Sequence, residues 1–291
     1  MNTRDFEYFL ALTQTRNFSQ TAEQFAVSQP TITTAIKRLE DSFQAQLIIR
    51  DRRHHDIGIT SAGKQLATHA QVILQQLTLA QQEIAWDQTN KIRFGLPPII
   101  GNYFFPKIAP QLIAAGLMPQ LQTVEAGSAA LLNQIKQGDL DFALLGASGP
   151  LQEPDLTISQ IGTAPFVIIT PESDPLAQKD KVRFAELAMQ KFVTLSEAFV
   201  HTRAFTWFQQ QSVFTPNVVY QTGDVQLLKQ MVAQNVGNGF LTNLAINPDD
   251  HLAAVKLTDP KQPVFTISIV RRKDRVLTPA MQHFNQILAA N

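Results

Sequence analysis

The apolar positions of the chain follow two rhythms. Over the first ninety residues they recur at three- and four-residue spacing, and beyond Lys91 they gather into short β-rich runs separated by helical stretches. Phe6, Phe9 and Leu10 follow Asn2 and Thr3, both able to cap orphan backbone donors, so the spacing predicts a first helix over about 3–15. Ser19 is the expected cap of a second, short helix whose Ala22, Phe25 and Ala26 lie on one side. In "VSQPTITTAIKRLEDSF" (27–43) Ser28 is the next cap, and Pro30 falls in a first turn, where a missing N–H costs nothing. At about 100° per residue, Ile32, Ala35, Ile36, Leu39 and Phe43 share one arc and predict the buried side of a third helix. Gln29, Pro30, Thr33, Thr34, Lys37 and Arg38 occupy the rest of the wheel. Two helices joined by a short turn, the second with a polar outer strip, make a helix-turn-helix. "LIIR" (47–50) and "IGIT" (57–60) predict a hairpin, a wing, whose tip "DRRHHD" is cationic.

After Thr60, another cap, a long run without proline carries Leu66, Ala70, Ile73, Leu77, Ala80 and Ile84 at alternating spacings of four and three. That is a heptad seam, and a single helix cannot bury it. The expectation is a linker helix over 61–88 that pairs with a second copy of the chain, following a head over 1–60.

From Lys91 the alternation "IRFGL", "LQTVEA", "SAALLNQIKQG", "DFALLG", then "PFVIIT", "FVTL", "NVVYQT", "DVQLLKQMVAQN" and "GFLT" indicates α/β units on mainly parallel sheets. Two such groups suggest two lobes. The late "VFTISIVRR" and "PAMQHFNQILAA" predict a return to the first, giving lobe I over 92–162 and 266–291 and lobe II over 163–265. "GASG" (146–149) reads as a turn after a strand.

Composition narrows the chemistry. With no cysteine among 291 residues, disulfides, thiolate metal sites and a cysteine nucleophile are excluded. Charged residues interrupt the first stretch, which argues against an export signal, and no run reaches the ~18 apolar residues of a membrane helix, so a cytoplasmic protein without membrane attachment is expected. Lys plus Arg equals Asp plus Glu at 24 each, so bulk charge favours no polyanionic partner. Between Ser28 and Lys64, however, six basic residues stand against four acidic ones. His54, His55 and Asp56 at the hairpin tip read as a solvated tip rather than a metal site. No Walker loop, G-x-S-x-G elbow or His-rich metal helix is present, so no enzyme is expected.

The stretch "FSQTAEQFAVSQPTITTAIKRLEDSF" with the later "LIIRDRRHHDIGITSAGKQL" closely resembles the DNA-binding head of LysR-type transcriptional regulators, in which V-S-Q-P, I-x-x-L-E and L-T-x-A-G recur in this order. Ile48 and Ile49 depart from the family's usual Phe before its Arg, Gln44 from a common Gly, and Thr33 and Thr34 from a typical Ser and a polar or basic residue. The resemblance implies a winged helix-turn-helix, a dimerising linker helix and a two-lobed α/β effector domain of the type II periplasmic-binding-protein kind. It also implies double-stranded DNA, a second copy of the chain forming a dimer and from it a tetramer, a small-molecule effector, and RNA polymerase as partners. Expected DNA contacts are Ser28, Gln29, Pro30, Thr31, Thr33 and Thr34 for base edges, with Lys37, Arg38, Arg50, Arg52 and Arg53 neutralising phosphates.

Between lobes, a ligand sits outside the strand ends against helix N-termini. Candidate effector residues are Pro98, Ile99, Ile100 and Gly101, Gly127 and Ser128, His201, Thr202 and Arg203, Asp224 and Gly237. Arg203 can pair a carboxylate bidentately, and Ser128 and Thr202 can donate hydrogen bonds. Head and linker are similar to regulators of malolactic fermentation, which implies malate or another small carboxylate as effector and no other cofactor or metal. The alternative is a solute-binding protein with no regulatory DNA role, which requires an export signal and no helix-turn-helix.

Overall fold

The structure, a computed structural model, describes residues 2–50, 57–197, 199–212 and 214–290. The hairpin tip 51–56, with Arg52, Arg53, His54, His55 and Asp56, lies outside them, as does the side chain of Arg50. Two compact units divide the chain, 1–86 and 87–291.

In the first unit, α1 (Thr3–Thr15) starts with a capping box in which Asn2 and Asp5 each accept the other's backbone N–H. Helix α2 (Phe18–Gln24) is capped by Asn17, whose Oδ1 accepts the Gln20 N–H at 3.1 Å. Ser19 is therefore inside the helix rather than its cap. Phe25 ends α2, and Ala26 turns the chain with a left-handed φ of 53°, so Ala26 does not extend the helix face. Helix α3 (Gln29–Phe43) buries Ile32, Ala35, Ile36 and Leu39 against Phe6, Phe9 and Leu12. Phe43 is 45% exposed, contrary to the sequence expectation, because on this helix the core stops at Leu39 one turn earlier. Strands β1 (Ile48–Arg50) and β2 (Ile57–Ile59) pair antiparallel as the wing's base.

Helix α4 (Ser61–Asp87) begins where the Gly63 N–H donates to Thr60 Oγ1 at 2.9 Å. A Cβ on Gly63 would stand 2.2 Å from the Leu47 carbonyl oxygen, so α4 approaches the hairpin closely only through glycine. Of the predicted seam, Leu66 and Ala70 are buried in the head's own core, which removes them from any pairing surface. Ile73, Leu77, Ala80 and Ile84 remain exposed as one apolar stripe.

The second unit is built from β3 (Ile92–Leu96), α5 (Pro98–Ala114), β4 (Leu121–Glu125), α6 (Ser128–Gln137), β5 (Phe142–Ala147) and a long β6 (Leu156–Pro171). There follow β7 (Lys181–Val182), β8 (Lys191–Leu195), α7 (Val200–Gln211), β9 (Asn217–Thr222), α8 (Val225–Ala233) and β10 (Asn238–Thr242). Finally come β11 (Leu252–Leu257), β12 (Val264–Arg272) and α9 (Pro279–Ala289). The strands run in the order β4-β3-β5-β12-β6-β10-β8-β9, with β11 joined to β6 and β7 joined to β11. Pairing is parallel within β4-β3-β5 and within β10-β8-β9, as the alternating pattern predicts. It is antiparallel wherever β6 or β12 meets β5, β10 or β11, and between β6 and β12 themselves. This mixture corrects the expectation of mainly parallel sheets. Its cause is that Leu156–Pro165 of β6 pair with β12 while Phe166–Pro171 pair with β10 and β11, so one strand serves both lobes and β12 brings the chain back beside it.

Asp141 holds the base of the first lobe. Its buried carboxylate accepts from the Arg93 N–H at 2.9 Å, Arg93 Nη2 at 2.9 Å and Arg275 Nε at 3.2 Å, and Arg275 also binds Asp87. Among the described residues no helix is long and apolar enough to cross a membrane.

Candidate functional sites

The polar face of α3 stands on the helix's buried side, which locks its rotation against α1. Ser28, Gln29, Pro30, Thr31, Thr34 and Lys37 are exposed and Thr33 is half-buried. Short local bonds organise this face: Ser28 Oγ and Thr31 Oγ1 lie 2.9 Å apart, Gln29 Nε2 donates to Thr33 Oγ1 at 3.2 Å, and Thr34 Oγ1 donates to the Pro30 carbonyl at 2.8 Å. Ser28 precedes the helix but makes no side-chain cap.

Arg38 does not belong to the free cations of this face. Its Nε donates to Asp5 Oδ2 at 3.2 Å and its Nη2 to Oδ1, forming a two-pronged clamp on a carboxylate with no exposed side-chain surface. Burial pushes the Asp5 carboxyl up, but hydrogen bonds from Arg38 and the Asn2 N–H, with the guanidinium's charge, outweigh it and hold the carboxyl below its usual range. The expected phosphate contact is thus a strut between α1 and α3. Arg50, Arg52 and Arg53 carry no described side-chain geometry.

The second site is the cleft between the lobes of the second unit. The carboxyl ends of β3, β4 and β8 lead into the N-termini of α5, α6 and α7, so three helix starts meet there. Pro97, Gly127 and Phe199 occupy the cap positions of these helices and have no side-chain acceptor; Pro98 lacks an N–H and the Thr202 N–H already donates to the Phe199 carbonyl at 3.1 Å, and the other first-turn N–H groups carry no side-chain cap. An inner space of about 20 Å³ is lined by Pro97, Pro98, Ile99, Ile100, Gly127, Ser128, Phe199, Val200, His201 and Phe265. Outward it adjoins a space of about 490 Å³, which Ser128, Phe199 and Val200 also line and where Arg203 and Glu197 stand. Another space, of about 390 Å³, is bordered by Pro98, Ile99, Phe199, Asp224 and Lys229.

The structure thus gathers Pro98, Ile99, Ile100, Gly127, Ser128 and His201 around the inner space and sets Arg203 and Asp224 in two different spaces that share lining residues with it. Ser128 Oγ accepts the Gly146 N–H at 3.0 Å, which leaves its own proton to donate. Asp224 accepts from the Gln226 and Leu227 N–H groups and caps α8, making that helix start the filled exception. Three expected residues fall outside the ligand-facing set. Thr202 Oγ1 donates to the Leu195 and Ser196 carbonyls, at 3.1 and 2.8 Å, and so fastens α7 to β8. Gly101 packs on Leu96, and Gly237 lies where a Cβ would stand 3.0 Å from the Lys191 carbonyl oxygen, a close strand approach.

His201 is the electrostatic anomaly of the cleft. It is 3% exposed, sits 5.5 Å from the Phe166 ring and 5.5 Å from the Phe265 ring, and neither of its nitrogens has a hydrogen-bond partner. Burial pushes its pKa down to about 3, so it is neutral at physiological pH. Phe199, Val200 and Phe265 went unforeseen in the sequence, whereas Pro97 opens the stretch "PPIIGN" (97–102) that the sequence marks as a cleft edge. A large apolar residue in a helix-cap position, as at Phe199, was the available signal for one of them; Phe265 reads as ordinary core.

Comparison with known proteins gives two family matches. Residues 3–64 match the bacterial regulatory helix-turn-helix protein, lysR family, and residues 87–291 match the LysR substrate binding domain. The chain is 30% identical over 289 residues to the malolactic fermentation system transcriptional activator of Lactococcus lactis subsp. lactis, covering 99% of this chain and 98% of that one. Among solved structures, a full-length OxyR variant from Pseudomonas aeruginosa is similar in fold, with a TM-score of 0.56, 23% identity, and coverage of 100% of this chain and 99% of that one. The effector binding domain of QuiR in complex with shikimate matches with a TM-score of 0.60 and 15% identity over 69% of this chain and 95% of that one.

Proposed function

The chain belongs to the LysR family of bacterial transcriptional regulators, a DNA-binding head joined to an effector-binding domain, and from that premise we propose that its effector is a small organic acid. The observation that carries this reading is the convergence of three helix starts without side-chain caps on one cleft, an arrangement that favours a negative charge through their N–H groups and dipoles. Ser128 adds a donor, and Arg203, exposed in the outer space, adds a guanidinium. The similarity to an activator named for malolactic fermentation makes L-malate the first acid to test.

The acid acts as a signal, not as a substrate to be converted. Its binding favours one relative setting of the lobes over another, and it regulates only to the extent that it binds one setting better. Two copies of the chain pair through the exposed stripe Ile73, Leu77, Ala80 and Ile84, so that two α3 helices address a two-fold DNA site, with RNA polymerase as the downstream contact. Selection of bound genomic fragments, with and without L-malate, tests this. The expected result is a small set of enriched fragments whose recovery changes with malate; equal recovery with malate, succinate and no acid overturns the organic-acid reading.

A further inference from the structure

We propose that His201 recognises a carboxylate of the effector in the inner cleft and that the acid binds together with a proton, so that affinity rises as pH falls. This rests on the organic-acid reading of the cleft and adds to it a recognising group and a linkage. A buried imidazole with both nitrogens unpartnered is costly in a folded chain, and such a group is retained where something outside the chain completes its bonds. The imidazole is placed to do so: it lines the inner cleft beside Gly127, Ser128 and Val200, at the open starts of α6 and α7. A carboxylate seated there meets backbone N–H groups, the Ser128 hydroxyl and one imidazole nitrogen.

The charge balance sets the direction of the pH effect. Among the described residues lining the inner space no Asp, Glu, Lys or Arg occurs, so the anion arrives without a neutralising partner. From the elements packed around His201, β6 and β12 present Phe166 and Phe265, and α5 and α6 present uncharged residues. On its other side His201 borders a space of about 200 Å³ where β8, β9, β10 and α7 contribute Thr194, Gln221, Phe240, Phe205 and Gln209, and Glu197 is the other titratable group. In the empty cleft, burial keeps the imidazole neutral. An anion beside it favours the imidazolium, and the pair takes up one proton as it forms. The outer space, continuous through Ser128 and Val200, places Arg203 to meet a second carboxylate, so dicarboxylates are preferred over monocarboxylates.

Titration calorimetry of the full chain with L-malate, succinate and acetate, at about pH 6 and about pH 7.5 in PIPES and in bis-Tris, reads this directly, because buffers of different ionisation heat report the protons taken up. The expected result is uptake approaching one proton per acid at the lower pH and an affinity that rises up to about tenfold per pH unit as pH falls. His201→Gln keeps a donor of similar reach but cannot take the proton, and is expected to bind with no uptake and a flat pH profile. The wild-type proton count decides the matter even if that variant folds poorly. Acid binding with no proton uptake, or the wild-type slope retained in H201Q, overturns the His201 assignment while leaving the organic-acid reading in place. Binding by none of the three acids overturns both.

Discussion

The head and the effector unit treat their buried polar groups in opposite ways. In the head, Asp5 lies fully out of water and is answered on every side, by the Asn2 N–H and by both prongs of Arg38. At the base of the first lobe Asp141 is answered likewise by Arg93 and Arg275. In the cleft, His201 is just as buried and is answered by nothing within the described chain. A satisfied buried charge fixes geometry, because either partner alone is costly. An unsatisfied buried polar group, such as the neutral His201 imidazole, is tolerated where the site has another task. The contrast separates scaffold from sensor more sharply than exposure or charge does.

Three substitutions probe that contrast. The largest effect is expected from Asp141→Ala, which leaves two guanidiniums facing each other; the effector unit loses about 3–5 kcal/mol in denaturant melts. A loss under about 1 kcal/mol would show the network to be incidental. Arg38→Ala comes next. It strands a buried carboxylate, but Arg38 itself is 43% exposed and partly screened by water, so the expected loss of head stability is smaller than that of Asp141→Ala and is read as a lowered midpoint in denaturant melts. If instead R38A melts as wild type and its DNA binding loses salt dependence, Arg38 is a phosphate contact after all.

The most gradual effect, and the smallest near neutral pH, is a pH trend. With its pKa near 3 in the fold and an ordinary value of 6.5, His201 stays neutral while the unfolded chain takes up a proton as pH falls below about 6.5. Without effector, stability therefore drops toward acid by up to about 1.4 kcal/mol per pH unit in the window between those values. Comparing wild type with His201→Gln isolates this slope: the two should run parallel above about pH 7 and diverge below it, the variant holding steadier. Parallel curves throughout would mean that the imidazole finds a proton acceptor when it is buried.

The head was legible from its sequence because its elements are local. Asn2 caps α1 as its position predicts, although Thr3 lies inside the helix and Asp5 is the reciprocal partner, and Ile32, Ala35, Ile36 and Leu39 select the buried side of α3 by period alone. Where the reading failed, the cause was a competing neighbour. Asn17 pre-empted Ser19 as a cap by two residues, and Leu66 and Ala70 fit the head core as well as they fit a heptad seam. In the effector unit the alternating elements were readable, but the antiparallel role of β6 and β12 was not, since a strand carries no mark of which strand it will join.

Arrangement along the chain settled which residues were helix, which were strand, and which face of α3 was left polar, for periodicity and capping depend on neighbours a few positions away. Partnership across the fold settled the rest. Arg38 became a strut because Asp5 was within reach, Thr202 a fastener because the end of β8 offered two carbonyls, and His201 a sensor candidate because Phe166 and Phe265, from strands far apart in the chain, closed around it and gave it no bond. Thr202 reaches only six and seven positions back, but the Arg38 and His201 outcomes turn on distances between residues that sequence separates by 33 positions or more, and only folding sets those distances.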